Sequence, residues 1–233
     1  MTLDDVLRDP PRVHAWGAPN ERSYSGFARE FYACMSDHID SASSTLETGA
    51  GISTVVFALR RARHTCVAPD VAELDRLKAY CSEKGIPSDS IDFQPMRSDE
   101  YFRLWTPRPL DLALIDGCHG FPAPFLDWFH IAVSLRVGGL LVVDDTHLWT
   151  GKILKEFLET ESGWRLERPH STKTAVFRKI GEYVPWKEWT EQPYVSSRSD
   201  VRRPRHSRVR LALELARRGE YASLLRKVRK VFF

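Results

Sequence analysis

Short apolar runs alternate along the chain with helical patterns, and this alternation constrains the fold more than any other feature of the sequence. Seven runs have the length and composition of strands: 44–47, 64–68, 90–94, 112–115, 140–143, 164–167 and 174–178. The central runs are continuously apolar, as expected when both faces of a strand are buried. We therefore predict an α/β fold, a doubly wound, mostly parallel seven-stranded Rossmann-like sheet with helices on both faces.

The sequence outside these runs divides the chain into three parts. Residues 1–42 have no strand pattern, and the spacing of Phe27, Phe31, Tyr32 and Met35 predicts a helix there. Residues 43–180 form the predicted core domain. Residues 181–233 are predicted to be a proline-containing linker followed by a C-terminal helical extension, because apolar residues there recur at helical spacing.

Charge is distributed unevenly along the chain. Residues 198–233 contain 12 Lys/Arg against 3 Asp/Glu, a net +9, so residues 1–197 carry −6 of the total of +3. A basic amphipathic tail can pack on its own domain or on a second copy, lie on an anionic membrane, or bind nucleic acid or another protein. Homodimerisation and peripheral membrane contact through this tail therefore both stay open.

The composition favours a protein of the cytoplasm. The four cysteines form no Cys-x-x-Cys pair, which disfavours a zinc site or a disulfide framework. No apolar run approaches the length of about 18 residues that a membrane span needs. The first eleven residues are polar and acidic, unlike a signal peptide.

A glycine-containing loop, Glu47-Thr48-Gly49-Ala50-Gly51, follows the first predicted strand. Glycines let a backbone approach a ligand closely, and ligands in such folds gather at the carboxyl ends of the strands. The third glycine of a dinucleotide fingerprint would fall at Thr54. The carboxylate of Glu47 would repel a pyrophosphate but attract an ammonium or sulfonium group. The loop therefore disfavours NAD.

The segment TLETGAGISTVVFAL resembles the first motif, Glu-x-Gly-x-Gly, of class I S-adenosylmethionine-dependent methyltransferases. The resemblance continues through Asp116-Gly117 and VGGLLVVDD, and covers roughly residues 40–180. It implies S-adenosylmethionine as the cofactor, with its methionine end on the loop and the start of the next helix. The residues implied there are Glu47, Thr48, Gly49, Ala50, Gly51, Ser53 and Thr54, with Asp116 nearby.

The nucleoside half of the cofactor is implied at the ends of the second and third strands. In the superfamily an acid at the end of the second strand accepts hydrogen bonds from the ribose, but Ala68 holds that position here and Asp70 follows two residues later. Asp70 either contacts the ribose or caps the next helix. Ser98 and Asp99 occupy the region implied for the edge of the adenine.

Three acids, Asp116, Asp144 and Asp145, end the fourth and fifth strands and are expected to lie close together. Clustered carboxylates repel one another, and oxygen ligands suit Mg²⁺ or Ca²⁺ better than zinc. The set resembles the metal site of the divalent-metal-dependent O-methyltransferases that act on catechols and macrolide sugars. The resemblance implies Mg²⁺ held by all three residues. The alternatives are that Asp144 caps the following helix and that Asp116 acts without a metal.

Two histidines are candidate catalytic groups beside Asp116. His119 stands where the catechol enzymes carry a basic lysine, and an imidazole is a suitable general base near neutral pH. His147, two residues after Asp145, is the second candidate. The sugar-modifying enzymes have an acid where this chain has Cys118.

We therefore expect methyl transfer to an oxygen of a small molecule, such as a sugar hydroxyl, with or without a divalent metal. The chain has no Asn-Pro-Pro-aromatic type motif after the fourth strand, so no nucleic-acid partner is expected. The alternatives are a cofactor-binding module without turnover and, with less support, an NAD-dependent Rossmann oxidoreductase.

Overall fold

The computed structural model describes residues 1–14, 29–168 and 171–199, and the chain divides into two compact units, Met1–Val195 and Ser196–Phe233. The strands are β1 (Ser44–Thr48), β2 (Arg63–Val67), β3 (Ile91–Gln94), β4 (Leu110–Ile115), β5 (Leu135–Val143), β6 (Trp164–Glu167) and β7 (Ala175–Lys179). The helices are α1 (Leu3–Arg8), α2 (Arg29–His38), α3 (Ile52–Leu59), α4 (Val71–Glu83), α5 (Ser98–Leu104), α6 (Ala123–Ser134), α7 (Trp149–Thr160) and α8 (Pro193–Arg198), with a 3₁₀ turn at Trp189–Glu191.

The seven strands form one sheet in the order β3-β2-β1-β4-β5-β7-β6. The first five strands are parallel, and β7 runs antiparallel to both β5 and β6. The predicted α/β fold with a mostly parallel seven-stranded sheet is confirmed. The predicted C-terminal helices beyond residue 199 lie outside the described residues, and the predicted domain boundaries stay a prediction.

The neighbouring strands β1 and β4 are far apart in the chain, and here the sheet order reverses. Connections leave such a pair toward opposite faces, which opens a crevice at the carboxyl ends of the two strands. Thr48 pairs with Ile115 at this end, so Gly49 and Asp116 follow side by side. The topology therefore places the glycine loop and the first predicted acid together.

Two apolar clusters cover the two faces of the sheet. One joins α1 to α4 with Leu112 and Leu114 of β4, and the other joins α5, α6 and α7 with Ala113 and Ile115. Successive residues of a strand point to opposite faces, so a strand buried on both sides feeds both clusters. This burial explains the continuous apolar runs in the sequence.

Three features of the structure depart from the sequence-based expectations. β5 begins at Leu135, because Leu135 pairs with Leu110 before a register shift that the sequence shows only as a glycine pair. α7 begins at Trp149, whereas the sequence pattern predicts a helix only from Lys152 to Glu159. Ser98 and Asp99 form the first turn of the short helix α5, an element for which the sequence pattern gives no prediction.

Candidate cofactor and acceptor site

An open cavity of about 1130 Å³ lies at the carboxyl ends of the parallel strands. Its wall includes many of the residues predicted for the site: Thr48, Gly49, Ala50, Ser98, Asp99, Asp116, His119, Asp144 and Asp145. Other predicted residues are not part of this wall: Glu47, Gly51, Ser53, Thr54, Asp70 and His147. The cavity thus joins the glycine loop to the acid cluster, and the predicted residues fall into two groups.

The two glycines of the loop have different structural requirements. Gly49 has a φ of +97°, and a Cβ there would lie 2.1 Å from the carbonyl oxygen of Asp116. No side chain fits, so glycine is required by the packing of β1 against β4. A Cβ on Gly51 would meet no protein atom within 4 Å, so packing does not require glycine there. A ligand that approaches the backbone at this position would explain why the residue is glycine.

Glu47 is not part of the cavity wall, and its role at the methionine end of the cofactor stays a prediction. Its side chain is 1% exposed and accepts hydrogen bonds from Ser53 Oγ at 2.6 Å and from Thr54 Oγ1. Adjacent residues of a strand point to opposite faces, so Glu47 lies under α3 while Thr48 faces the other side. Glu47, Ser53 and Thr54 therefore support the loop from behind.

A buried histidine completes this support. His64 Nε2 lies 3.1 Å from Glu47 Oε1, and His64 Nδ1 lies 2.8 Å from Thr45 Oγ1. The ring of Phe57 stacks on the imidazole with centroids 3.9 Å apart. Burial, followed by the nearby negative charge of Glu47, raises the pKa of the Cys66 thiol well above its usual range. The network pairs each buried polar group and fixes the end of β1.

Asp70 caps a helix and does not line the cavity, so the second of its two interpretations describes the structure. Its carboxylate accepts hydrogen bonds from the backbone N–H groups of Ala72 and Glu73 at the start of α4. Glu73 faces the cavity instead, with Oε1 2.7 Å from His14 Nδ1. Neither residue is singled out by the sequence, because the sequence does not show that the first turn of α4 and residue 14 meet.

The start of α5 forms another part of the cavity wall. Asp99 Oδ1 accepts a hydrogen bond from Arg97 Nε at 2.8 Å, and this bond lowers the pKa of the carboxyl group. Arg97, Ser98 and Asp99 all line the cavity. Ser98 and Asp99 are therefore at the cavity, together with the cation of Arg97, which no sequence motif indicates.

The acid cluster contains a histidine beside the three predicted acids. Ligand atoms of Asp116, His119 and Asp145 all lie within 4.8 Å of one another. Asp144 Oδ1 accepts a hydrogen bond from Thr174 Oγ1 at 2.6 Å. That Asp116, Asp144 and Asp145 together form a ligand set stays a prediction: Asp144 contacts Asp116 and also accepts the hydrogen bond from Thr174, the residue before β7.

Two carboxyl groups of this cluster, those of Asp116 and Asp144, have raised pKa values. Burial, followed by the negative charge of Asp144, raises the pKa of Asp116 well above its usual range. Burial also raises the pKa of Asp144, against the hydrogen bond from Thr174. Carboxylates this close retain a proton unless a cation approaches.

The side chains of His119 and His147 both contact the carboxylate of Asp145, but only His119 lines the cavity. His119 Nε2 is 3.0 Å from Asp145 Oδ2, and Thr150 Oγ1 donates a hydrogen bond of 2.6 Å to the carbonyl oxygen of His119. His147 Nδ1 is 3.5 Å from Asp145 Oδ1, outside the cavity wall. The geometry favours His119 over His147 as the group that meets an acceptor.

The turn that carries Asp145 has an unusual backbone. Asp145 has a φ of +50°, in the left-handed region that few residues other than glycine, Asn and Asp adopt. Gly151 of α7 packs against it, since a Cβ there would lie 2.6 Å from the carbonyl oxygen of Asp145. Helix α7 therefore fixes the orientation of the acid.

Several cavity residues on the acceptor side are absent from the sequence-based set. Lys173 and Thr174 reach the wall from the turn before β7, and Phe121 lines its rim while 72% exposed. The Trp149 ring, 63% exposed, lies 6.5 Å from that of Phe121. The exposed aromatic rings give the acceptor side an apolar edge.

Comparison with known proteins agrees with this architecture. Residues 46–146 match the model of a family described as a methyltransferase domain. No curated protein gives a significant sequence match. Among solved structures, an rRNA methylase from Streptococcus thermophilus is 16% identical, with a TM-score of 0.51 over 65% of this chain and 95% of its own.

Two further structures share the fold. A candidate caffeoyl-CoA O-methyltransferase from Staphylococcus aureus is 14% identical, with a TM-score of 0.54 over 64% of this chain and 82% of its own. A candidate methyltransferase from Streptococcus mutans, solved in complex with SAH, is 14% identical, with a TM-score of 0.51 over 64% of this chain and 96% of its own.

These comparisons bear on the expected partners. Because one neighbour is an rRNA methylase, the fold gives no support to the expectation that nucleic acid is excluded. Among the described residues no helix is long and apolar enough to span a membrane. The sheet topology and the match across residues 46–146 agree with the resemblance of this chain to class I S-adenosylmethionine-dependent methyltransferases.

Proposed function

We propose that this chain transfers the methyl group of S-adenosylmethionine to a hydroxyl oxygen of a small molecule. One observation carries the proposal: a single cavity joins the glycine loop at Gly49 to the cluster of Asp116, His119 and Asp145. A cavity of about 1130 Å³ exceeds the usual range for one ligand and has room for a cofactor and an acceptor.

The cofactor half of the cavity suits a cationic amino acid joined to a nucleoside. The backbone of Thr48–Ala50 offers a surface without large side chains for the methionine part. Val67, Ala68 and Pro69 give an apolar wall for the base, and Glu73 offers a carboxylate to ribose hydroxyls. Asp116 is the acid at the cavity nearest the loop, since its backbone contacts Gly49.

The acceptor half offers a paired histidine and acid. His119, with Nε2 3.0 Å from Asp145, has the arrangement of a base oriented by a carboxylate. A sulfonium methyl group is already activated, so transfer requires an acceptor oxygen that has lost its proton and lies in line with the methyl group. We propose that His119 takes that proton.

A divalent cation fits the same cluster with a mixed ligand set. Two carboxylates and one imidazole within 4.8 Å can hold a cation, whereas Mg²⁺ prefers oxygen ligands alone. Asp116 and Asp145 would then be ligands in either case, and His119 would be a ligand for metals that accept nitrogen. A bound cation would supply the charge that lowers the pKa of an acceptor hydroxyl.

The test has two steps that separate binding from turnover. Calorimetry with S-adenosylhomocysteine should show one site per chain, and NAD should show none. Transfer of a labelled methyl group should then be measured on a panel of sugars, phenols and ribosomal RNA. Binding without transfer to any acceptor would support the module without turnover, and label on RNA alone would overturn the small-molecule proposal.

A further inference from the structure

Asp127 is a buried acid in α6 that the proposed chemistry does not use. The residue is 1% exposed, and within the described ranges neither of its carboxyl oxygens has a hydrogen-bond partner. Most buried polar groups in proteins are paired, and burying one without a partner costs free energy. A carboxyl group in this position needs a physical explanation.

The side chains nearest to Asp127 belong to the cavity wall. The hydroxyl groups of Ser98 and Thr48 lie close enough to stabilise its charged form, although neither makes a well-formed hydrogen bond to it. Thr48 Oγ1 is itself buried and without a partner in the described part of the chain. Asp127 therefore lies between the end of β1 and the start of α5.

The charges around Asp127 come from α5 and the residue before it. Burial raises the pKa of the Asp127 carboxyl to about 6, against the effect of the two hydroxyls. Asp99 of α5 adds a repulsive charge, which its hydrogen bond with Arg97 and its ion pair with Arg103 offset. An amide of the same shape would avoid the cost of this buried charge, so packing alone does not explain the acid.

We propose that Asp127 is a positioning residue for cofactor binding: its carboxylate accepts hydrogen bonds from Thr48 and Ser98 when the nucleoside enters. The two hydroxyls would draw the end of β1 and the start of α5 together around the ligand. This proposal rests on the proposed function, because the ligand is the cofactor of the methyl transfer. It adds a group behind the cavity wall to those that determine cofactor affinity.

The proposal fixes the direction of a pH effect. A carboxylate accepts both hydrogen bonds, whereas the protonated group has to give up part of that capacity. Cofactor binding therefore favours the charged form, and affinity increases as the pH rises through about 6. A decrease of one unit in the pKa of Asp127 on binding corresponds to about a tenfold gain in affinity.

The test compares binding of S-adenosylhomocysteine from pH 5.5 to pH 8 by calorimetry. Wild type should bind about threefold more tightly at pH 8 than at pH 5.5, because the carboxyl group is already partly ionised at pH 5.5. Asp127→Asn should match wild type at pH 5.5, lose most of the gain at pH 8, and remain folded because Asn is isosteric. Ser98→Ala should reduce the slope partly. Ser134→Ala is the matched control, since Ser134 is also buried and unpaired on α6 in the described structure but does not line the cavity.

Different outcomes would contradict the positioning role of Asp127 and the proposed methyl transfer. Equal affinity and equal pH slope for wild type and Asp127→Asn would overturn the positioning role alone. The same loss in Ser134→Ala would also overturn it, because the effect would then reflect general loosening of α6. Failure of wild type to bind at every pH would overturn the proposed function together with the inference.

Discussion

The two halves of the cavity are built in different ways. The cofactor half is made of backbone at Gly49 and of a buried network that pairs Glu47 with Ser53, Thr54 and His64. The acceptor half is made of side chains on turns, and His119 and His147 there are 39% and 43% exposed. The first half is rigid because its polar groups are enclosed, whereas the second can change without loss of the core. Substitutions should therefore affect the stability of the fold strongly in the first half and weakly in the second.

The largest effect on stability is expected at Gly49. Gly49→Ala places a Cβ 2.1 Å from the Asp116 carbonyl at a φ of +97°, so β1 and β4 must separate. We expect a loss of at least about 3 kcal/mol in the free energy of unfolding, and loss of cofactor binding. Urea denaturation measures the first and calorimetry the second.

Two glycine variants serve as controls for Gly49. Gly85→Ala introduces strain at a φ of +65° without a collision, and should cost about 1 kcal/mol. Gly51→Ala should leave the fold intact and weaken only cofactor binding, because its Cβ meets no protein atom. A Gly49→Ala protein as stable as Gly85→Ala would show that β1 and β4 adapt, and the contrast between the halves would fail.

The next effect is expected from Asp127 and depends on pH. Its pKa in the folded state is about 6, raised from 3.8 by burial. The stabilisation is present in full below pH 3.8 and is lost as the pH rises through about 6, a change of about 3 kcal/mol. Asp127→Asn should be more stable than wild type at pH 8 and lack this dependence. Thermal unfolding at several pH values would check it, and parallel curves would contradict it.

A smaller effect on stability is expected from Glu47→Gln. The amide keeps the shape but cannot accept hydrogen bonds at both positions from Ser53, Thr54 and His64. We expect a loss of about 2 kcal/mol in unfolding free energy and a moderate decrease in cofactor affinity. Surface Asp75→Asn is a control with an exposed carboxylate. Equal stability of the two variants would show that the buried network does not support the loop.

The smallest effect on stability is expected from Asp145→Asn. Asn tolerates the left-handed backbone, so the unfolding free energy should change by less than about 1 kcal/mol. Methyl transfer should nevertheless fall by about 100-fold, since His119 loses its charged partner. Binding of S-adenosylhomocysteine should stay within about threefold of wild type. A large loss of cofactor binding would show that the two halves are not separable.

The sequence predicts the fold well because burial on both faces leaves a direct record in the chain. The central strands β4 and β5 contain continuous apolar runs, and the glycine loop is visible as two residues without side chains. The start of β5 is missed because Gly138 and Gly139 read as a turn, although Gly139 packs against the backbone of Asp111 and Arg136. Local sequence patterns do not show which distant segments pair in the sheet.

The site is predicted less completely for the same reason. Glu47 and Thr48 are neighbours in sequence, and only the register of β1 shows that Thr48 faces the cavity while Glu47 faces α3. Asp144 accepts a hydrogen bond from Thr174, a residue thirty positions later in the chain. Glu73, His14 and Asp127 owe their positions to packing between elements, and a single sequence carries no local signal for them.

The left-handed turn at Asp145 limits how the acceptor side of the protein can diverge. Only a few residue types suit that backbone, and a side chain larger than that of glycine at position 151 would collide with it. The two positions therefore have to vary together, whereas Phe121, Trp149 and Lys173 are free of that restriction. A descendant with a new acceptor would most readily arise by changing those three residues around an unaltered turn.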